Sequence, residues 1–232
     1  MTYLEGATWP EVAAMGRRRL LALPFGSLEQ HGPHLPLNTD TRIAQTLTAR
    51  LCAVRSDVVA APPIPYGASG EHAQFPGTLL VNHEVLGNVL TELIRSARYA
   101  FAGVIVVSAH GGNSQALAMA RHQAEIDGDV VVFWSPAVPG GDAHAGRTET
   151  SLMMAIDPSA VRADLAESGN TEPIEVLMPR LRAEGVRPIS SNGVLGDPNG
   201  ANADEGHQLL SAMTADLVAR VAAQWPTIGA DT

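Results

Sequence analysis

The 232-residue chain is long enough for one α/β domain with a full core, and 45% hydrophobic with 17% charged residues is typical of a folded protein. A net charge of -9 with one short basic run, Arg17 to Arg19, disfavours nucleic-acid binding, and no apolar run of about 18 residues exists that could span a bilayer. The single cysteine, Cys52, excludes an internal disulfide, and the N-terminal stretch lacks a basic leader followed by an apolar core, so a cytoplasmic location is expected.

The N-terminal part of the chain predicts a helix, a strand and a second helix. Residues 11–18 follow a capping threonine and a helix-starting proline, so they are predicted to form a short surface helix. Residues 20–25 are an apolar run typical of a strand, and apolar residues recur at intervals of three and four across 41–54, which predicts a helix with one buried face. Cys52 lies on that helix and is expected to fill the core rather than act as a nucleophile.

The loop between this strand and helix, GSLEQHGPHLPLNTD, carries Glu29, His31, His34 and Asp40. Open α/β sheets place their active sites outside the carboxyl ends of the strands, where this loop lies. Its glycines and prolines fix its path. Asp40 also falls at the predicted start of the helix, where a carboxylate caps free N–H groups, so its position alone leaves capping and chemistry equally open.

The next segment predicts a strand at 58–61, a long shaped loop at 62–81, a helix at 82–102 and a buried strand at 103–109. Three prolines in the loop prevent a continued strand ladder, and long ordered loops in compact domains tend to be functional. The residues predicted to share one face of the helix are Val85, Val89, Leu93, Ile94 and Ala97.

His110 follows the last of these strands, and Asn113 or Ser114 is predicted to cap the helix that comes next. The elements predicted in the rest of the chain are a helix to residue 126, a strand at 129–134 and helices at 148–156 and 203–224. This repeated order of strand, loop and helix predicts an α/β fold of three layers, α/β/α, with a mainly parallel central sheet. No repeat or linker interrupts it, so residues 1–232 are expected to form a single domain.

Three loops that each follow a predicted strand carry histidine together with acidic residues. Taken singly, a histidine at the end of a strand is more often structural than a ligand. In a parallel sheet, however, such loops share one edge and converge, which favours a metal site. Imidazole and carboxylate ligands suit Zn²⁺, Mn²⁺ or Fe²⁺, whereas a structural zinc site built on cysteines is excluded. The pattern therefore predicts metal-dependent hydrolysis.

Other chemistries have less support in the sequence. The GxSxG elbow of serine α/β-hydrolases, the GxGxxG of dinucleotide-binding proteins and the Walker pattern of nucleotide-binding proteins are all absent. The Gly111–Gly112 pair could hold an anion at a helix start, which leaves anion binding as the non-hydrolytic alternative.

The segments GSLEQHGPHLPLNTDT, SAHGGN and HAGRTETSLM resemble the signature segments of the creatininase family, whose members are metal-dependent amidohydrolases of α/β fold. The resemblance implies a compact creatininase-like domain with metal ligands Glu29, His31, Asp40 and His110, in which Asp40 bridges two ions. Creatininase itself carries a metal-binding glutamate at the position that Gly112 occupies here. Glu149 is our candidate to supply the missing ligand or to act in catalysis. His144 is expected to contact substrate or pass a proton to the leaving amine.

Within this family, the segments YGASGEHAQFPGTL, PGGDAHAG and GVLGDP most resemble the peptidases of mycofactocin maturation. This implies removal of a C-terminal Val-Tyr dipeptide from a small modified precursor peptide, with one or two ions of Fe²⁺, Zn²⁺ or Mn²⁺. The family resemblance also implies a homo-oligomer. A small-molecule amidohydrolase of the creatinine or formamide type and a non-catalytic binding or scaffold protein remain as alternatives.

The residues expected to contact substrate are Ser69, Glu71, His72, Gly111 and Asp142. Glu71 and His72 are open to a second interpretation, in which they orient a metal-binding side chain. His34 is open to a bracing role in its loop, and the histidines on predicted helices, His122 and His207 among them, are expected to be structural.

Overall fold

A computed structural model shows a fold built on a parallel β-sheet. The structure describes residues 3 to 226. The ends of the predicted 1–232 domain, residues 1–2 and 227–232, lie outside the described residues. The strands are β1 (Leu20–Phe25), β2 (Val58–Ala60), β3 (Gly103–Ser108) and β4 (Val131–Trp134), in the spatial order β2-β1-β3-β4. The helices are α1 (Trp9–Met15), α2 (Thr39–Val54), α3 (His83–Ala97), α4 (Ser114–Asp127), α5 (Arg147–Ile156), α6 (Ile174–Glu184) and α7 (Ala203–Gln224). Short 3-10 turns lie at Leu4–Gly6, Gly70–His72, Gly111–Asn113, Pro158–Ala160 and Ala163–Leu165.

Helices cover both faces of the sheet, which confirms the predicted three-layer α/β/α architecture. Alternate residues of each strand point to opposite faces. On one face, Leu20 and Ile105 pack against apolar residues of α2, α5 and α7. On the other, Phe25 and Val106 pack against α3 and α4. Since both faces are buried, the strands are continuous apolar runs without alternation.

The strand order reverses at β1. The first crossover runs from β1 through α2 to β2 on one side, and the chain then returns through α3 to β3 on the other side of β1. Loops that leave the carboxyl ends of β1 and β3 therefore diverge and leave a crevice between them, which is where open α/β sheets bind ligands.

Several predicted elements are confirmed with small shifts at their ends. Strand 20–25 and helix 203–224 have the predicted bounds. Helix α1 covers Trp9–Met15 rather than 11–18, because Thr8 and Glu11 bond to each other and start it earlier. Cys52 is buried in the core, as expected. None of the described helices has both the length and the apolar character that a membrane span requires.

The predicted common face of α3 was only partly right. Ile94 and Ala97 are buried, but Leu86 and Leu90 complete the buried face, whereas Val85 and Val89 are 49% and 40% exposed. Two apolar stripes run along this helix one residue apart, and both have helical spacing, so periodicity alone could not choose between them. The helix also ends at Ala97 rather than at residue 102.

Helix α6 was not predicted at all. Pro179 lies in its middle and Pro173 directly before it, and an internal proline normally argues against a helix. The helix forms because Leu177 and Leu181 pack into a small apolar cluster with Val186.

Candidate metal centre

Three loops meet at the carboxyl edge of the sheet and bring the predicted site residues together. Glu29 and His31 lie in the loop after β1, and Asp40 lies in the first turn of α2. His110 follows β3, and His144 lies in the loop after β4. All five side chains are buried.

Asp40 occupies the centre of this cluster. One of its oxygens lies 3.1 Å from His31 Nε2, and the other lies 3.2 Å from His110 Nδ1 and accepts the hydroxyl of Ser27 at 2.7 Å. The alternative in which Asp40 caps the helix was wrong, because α2 begins at Thr39 and Asn38 occupies the N-cap position. Burial opposes a charge on Asp40, but the adjacent His31 and His110 outweigh it and hold its pKa well below the usual value.

Glu29 is a buried carboxylate without hydrogen-bond partners among the described residues. Its two oxygens lie 3.2 Å from His110 Nε2 and 3.4 Å from His72 Nε2, but neither contact has the geometry of a hydrogen bond. Burial raises the pKa of Glu29 to about 7. A buried carboxylate normally pairs with a cation or binds a metal, so Glu29 fits a metal ligand.

His31 is oriented by the backbone. Its Nδ1 lies 3.1 Å from the carbonyl oxygen of Glu29, which can only accept, so Nδ1 carries the proton and Nε2 faces Asp40 and Glu149. Metal-binding histidines typically donate their second ring N–H in this way. Burial opposes protonation of Nε2, but the Asp40 and Glu149 carboxylates outweigh it and raise the pKa of His31 to about 10. The pocket thus attracts positive charge, either a proton or a metal ion.

Glu149 lies on the first turn of α5 and reaches the same pocket. Its Oε2 accepts the backbone N–H of Ala145 at 2.6 Å and lies 3.9 Å from His31 Nε2 and 4.0 Å from His144 Nδ1. Ala145 has a left-handed backbone with φ of 53°, an uncommon conformation for a residue with a side chain. Strained backbone of this kind is often found at functional sites, and here it aims an N–H at a candidate ligand.

Gly112, where the resemblance implies a missing ligand, has no room for a side chain. A Cβ built on Gly112 would lie 2.4 Å from His110 Nε2 and 2.5 Å from the carbonyl oxygen of Ala68. Any larger residue would therefore displace the imidazole. The same Cβ would lie 2.8 Å from Glu71 Oε1, so the carboxylate of Glu71 lies beside this position, whereas Glu149 reaches the pocket from α5.

Gln30 is a hydrogen-bonding residue that sequence reasoning missed. Its Oε1 accepts the N–H of Gly32 at 2.8 Å, which fixes the amide, and its Nε2 donates to Gly193 O at 2.9 Å and to His72 Nδ1 at 2.8 Å. His72 must then carry its proton on Nε2, which faces Glu29. Neutral His72 is therefore better suited to orient the Glu29 carboxylate than to bind a metal. No local sequence pattern reveals this role, because Gln30 and His72 meet only in the fold.

The backbone of Gln30 likewise sets the tautomer of His144. His144 Nε2 lies 2.8 Å from the carbonyl oxygen of Gln30, so it donates, and the unprotonated Nδ1 faces Glu29 and Glu149. An antiparallel bridge to Leu195 holds the backbone in place. Burial, together with His31 and His72, lowers the pKa of His144 well below its usual value. His144 is therefore neutral, with its unprotonated Nδ1 directed into the pocket.

The described residues offer overlapping groups that could hold a metal ion. One comprises Glu29, His31 and Asp40, and another comprises His31, His144 and Glu149; in each, the ligand atoms lie within 4.8 Å of one another. A third group, Glu29, His72 and His144, is disfavoured by the proton on His72 Nε2. The mixture of imidazole and carboxylate in the first two groups suits a divalent transition metal.

Only some of the residues predicted to contact substrate line the cavity in front of the candidate metal centre. Glu71, His72 and Gly111 line a cavity of about 1150 Å³ into which the metal-binding residues open. Ser69 is fully buried, with its hydroxyl 3.4 Å from His110 Nε2, so it contacts this imidazole and does not line the cavity. Asp142 accepts the backbone N–H of Arg147 and packs against Gly146, which gives no support to a substrate contact.

Asn113 and Gly26 hold the loops in register. Asn113, predicted together with Ser114 as the candidate cap of α4, occupies the N-cap position. Its side chain does not cap the helix but donates to the carbonyl of Gly26 at 3.0 Å and accepts the N–H of Ala68 at 2.9 Å. These bonds join three loops beneath the cluster. A Cβ on Gly26 would lie 2.4 Å from Thr41 Cα, so only glycine lets α2 start directly against the end of β1.

Three of the remaining histidines have the structural positions considered for them, whereas His83, on the predicted third helix and also considered structural, is half-buried and lines the cavity. His34 is fully buried and bonds through Nε2 to the Thr150 hydroxyl at 2.9 Å, which braces its loop against α5. His122 and His207 are exposed on α4 and α7.

Comparison with known proteins identifies relatives in a single family. The family model described as "Creatininase: Creatinine amidohydrolase" matches residues 5–221. The mycofactocin precursor peptide peptidase of Mycobacterium tuberculosis (strain ATCC 25618 / H37Rv) is 44% identical over 215 residues, covering 89% of this chain and 86% of that protein. The creatinine amidohydrolase of Pseudomonas putida is 32% identical over 189 residues, covering 68% and 72%. A solved mutant creatininase of the Zn–Zn type superposes with a TM-score of 0.79 at 23% identity, covering 97% of this chain and 98% of its own.

Proposed function

The chain belongs to the creatininase family and is a hydrolase of amide C–N bonds, and from this premise we propose that it is a metal-dependent peptidase that releases a C-terminal Val-Tyr dipeptide from the modified mycofactocin precursor peptide. The observation that carries the metal dependence is the buried Glu29 carboxylate, whose oxygens have no hydrogen-bond partner among residues 3–226. The 44% identity to a mycofactocin precursor peptide peptidase over 89% of the chain supports the assignment of this substrate.

The size of the cavity also favours a peptide over a small ring. Its volume of about 1150 Å³ exceeds the usual range of small-molecule sites, roughly 300–1,000 Å³. Its wall includes apolar side chains of α6, namely Ile174, Met178 and Leu181. Creatinine would leave most of this wall uncovered, whereas several residues of a peptide can contact it.

We assign the metal-holding role to Glu29, His31, Asp40 and His110, with Glu149 as the further carboxylate. A divalent ion held there would supply Lewis-acid activation of the scissile carbonyl and of the attacking water. Zn²⁺, Fe²⁺ and Mn²⁺ all accept this ligand set.

His144 is the residue we assign to proton transfer. Its Nδ1 is unprotonated and lies 4.0 Å from Glu149 Oε2, while its Nε2–H stays bonded to the Gln30 carbonyl. Nδ1 can take a proton from the attacking water and deliver it to the peptide nitrogen. In the overall reaction the water oxygen bonds to the carbonyl carbon, the C–N bond breaks, and the leaving dipeptide gains a free amine.

The proposed activity is tested with the metal-loaded protein and two substrates. Incubation with the modified precursor peptide is expected to release Val-Tyr, measured by liquid chromatography and mass spectrometry. Incubation with creatinine is expected to give no more creatine than a protein-free control. Ring opening of creatinine without Val-Tyr release would refute the peptidase and favour the small-molecule amidohydrolase.

Metal binding is also expected to raise the thermal stability, because the ion binds the folded cluster and not the unfolded chain. At a metal concentration of about 100 times Kd the gain is about 2.7 kcal/mol, which corresponds to a rise in Tm of roughly 5–10 °C for a domain of this size. Differential scanning calorimetry of chelator-treated protein with and without added Zn²⁺ measures this. An unchanged Tm at saturating metal would contradict a site in this cluster.

A further inference from the structure

Helix α6 presents a cation to the cavity. Ile174, Met178 and Arg182 are spaced four residues apart, so they lie on one face of the helix, and all three line the cavity. Leu177 and Leu181 form the adjoining stripe of α6 and are buried with Val186 and Leu195, which fixes the rotation of the helix. The core packing of the helix therefore sets which face the cavity receives.

The end of α6 that carries Arg182 is tied to the metal-binding region. The N–H of Val186 donates to the carbonyl of Glu71 at 2.8 Å, and Gln74 Nε2 donates to the carbonyl of Glu184 at 3.4 Å. Glu71 immediately precedes His72, whose Nε2 lies 3.4 Å from Glu29. Val186 follows Arg182 by four residues, so the C-terminal end of α6 is joined to the segment whose His72 faces Glu29.

Arg182 is the one arginine among the described residues that line the cavity. The acidic residues that line it are Glu29, Asp40, Glu71, Glu149 and Glu184. Of the arginines between residues 3 and 226, Arg182 alone lines the cavity, and it forms no ion pair or hydrogen bond with other described residues. In contrast, Arg180 pairs with Glu184 at 3.3 Å, and Arg187 donates to the carbonyl of Gln74 at 2.8 Å.

We propose that Arg182 binds the C-terminal α-carboxylate of the peptide substrate, while Ile174 and Met178 contact the apolar side chains of its last residues. This inference rests on the proposed peptidase function and deepens it. The guanidinium of Arg182 can bind a carboxylate through two parallel hydrogen bonds. The face from Ile174 to Arg182 extends about 12 Å, enough to lie along an extended dipeptide of about 7 Å.

As a consequence, the position of the cleaved bond is set by its distance from the C-terminal carboxylate of the substrate. An enzyme that binds the terminal carboxylate can release a short C-terminal fragment, and it discriminates against peptides whose terminus is blocked or extended.

The test compares the modified precursor peptide with the same peptide carrying a C-terminal amide, using zinc-loaded protein. We expect kcat/KM of the wild type to be about 30- to 100-fold higher for the free acid, the effect of a charge-assisted hydrogen-bonded pair. Arg182→Ala should lose this preference through a higher KM for the acid, with the amide unaffected. Arg180→Ala, which changes the other side of the same helix, is the matched control and should keep the preference.

A binding measurement separates this inference from the peptidase function. Calorimetric titration with Val-Tyr and with Val-Tyr amide should show tighter binding of the acid to the wild type and equal binding to Arg182→Ala. If the wild type releases no Val-Tyr yet shows this difference, the peptidase proposal fails and the carboxylate site stands. Equal use of acid and amide by the wild type, or an equal loss for both in Arg182→Ala, would overturn the role of Arg182.

Discussion

Replacement of Asp40 by asparagine is expected to reduce kcat by roughly 10²–10⁴-fold and to lower the metal content of the purified protein. Asparagine has nearly the same shape and can still accept the Ser27 hydroxyl, so the fold should be retained. What it removes is the negative charge between His31 and His110, whose nitrogens lie 3.1 and 3.2 Å from the two carboxylate oxygens. The Lewis-acid activation that a bound metal supplies is worth several kcal/mol in the transition state, and each 1.4 kcal/mol is a factor of ten in rate.

The measurement combines turnover of the precursor peptide with elemental analysis of protein purified without chelator. Asp157→Asn is the matched control, because Asp157 forms a half-exposed ion pair with Arg42 at the end of α5, away from the cluster. It should keep both the rate and the metal. A normal rate and metal content in Asp40→Asn would remove the assignment of this cluster as the metal centre.

Replacement of His144 by alanine is expected to reduce kcat by about 10²–10⁴-fold, the usual contribution of a general acid or base, while the metal remains bound. Glu29, His31 and Asp40 form a group without His144, so the ion keeps its other ligands. The combination of retained metal and lost turnover distinguishes proton transfer from metal binding.

Turnover and metal content are measured side by side for His144→Ala and for His207→Ala. His207 is exposed on α7 and serves as the matched control, with no expected effect on either quantity. Loss of metal together with turnover in His144→Ala would show that His144 is a ligand, and the proton would then require another carrier.

The sequence revealed the architecture because the sheet is buried on both faces. Buried parallel strands are short apolar runs, and each is followed by a loop and a helix, so β1 and β3 could be located almost to the residue. The face of α3 could not be chosen in the same way, since Leu86 and Val85 begin apolar stripes of equal spacing. Helix α6 escaped prediction because the local effect of Pro179 opposes a helix, and its packing against residues distant in the chain outweighs that effect.

The sequence by itself predicted the residues of the candidate metal centre. Glu29, His31 and Asp40 are close in the chain, and the positions of His110 and His144 after strands place them at the same edge of a parallel sheet. Only the tertiary structure decided how these residues are held. The tautomers of His72 and His144 depend on Gln30, and the exposure of Arg182 to the cavity depends on the packing of α6, because hydrogen bonds and contacts between distant segments leave no periodic or local trace in the sequence.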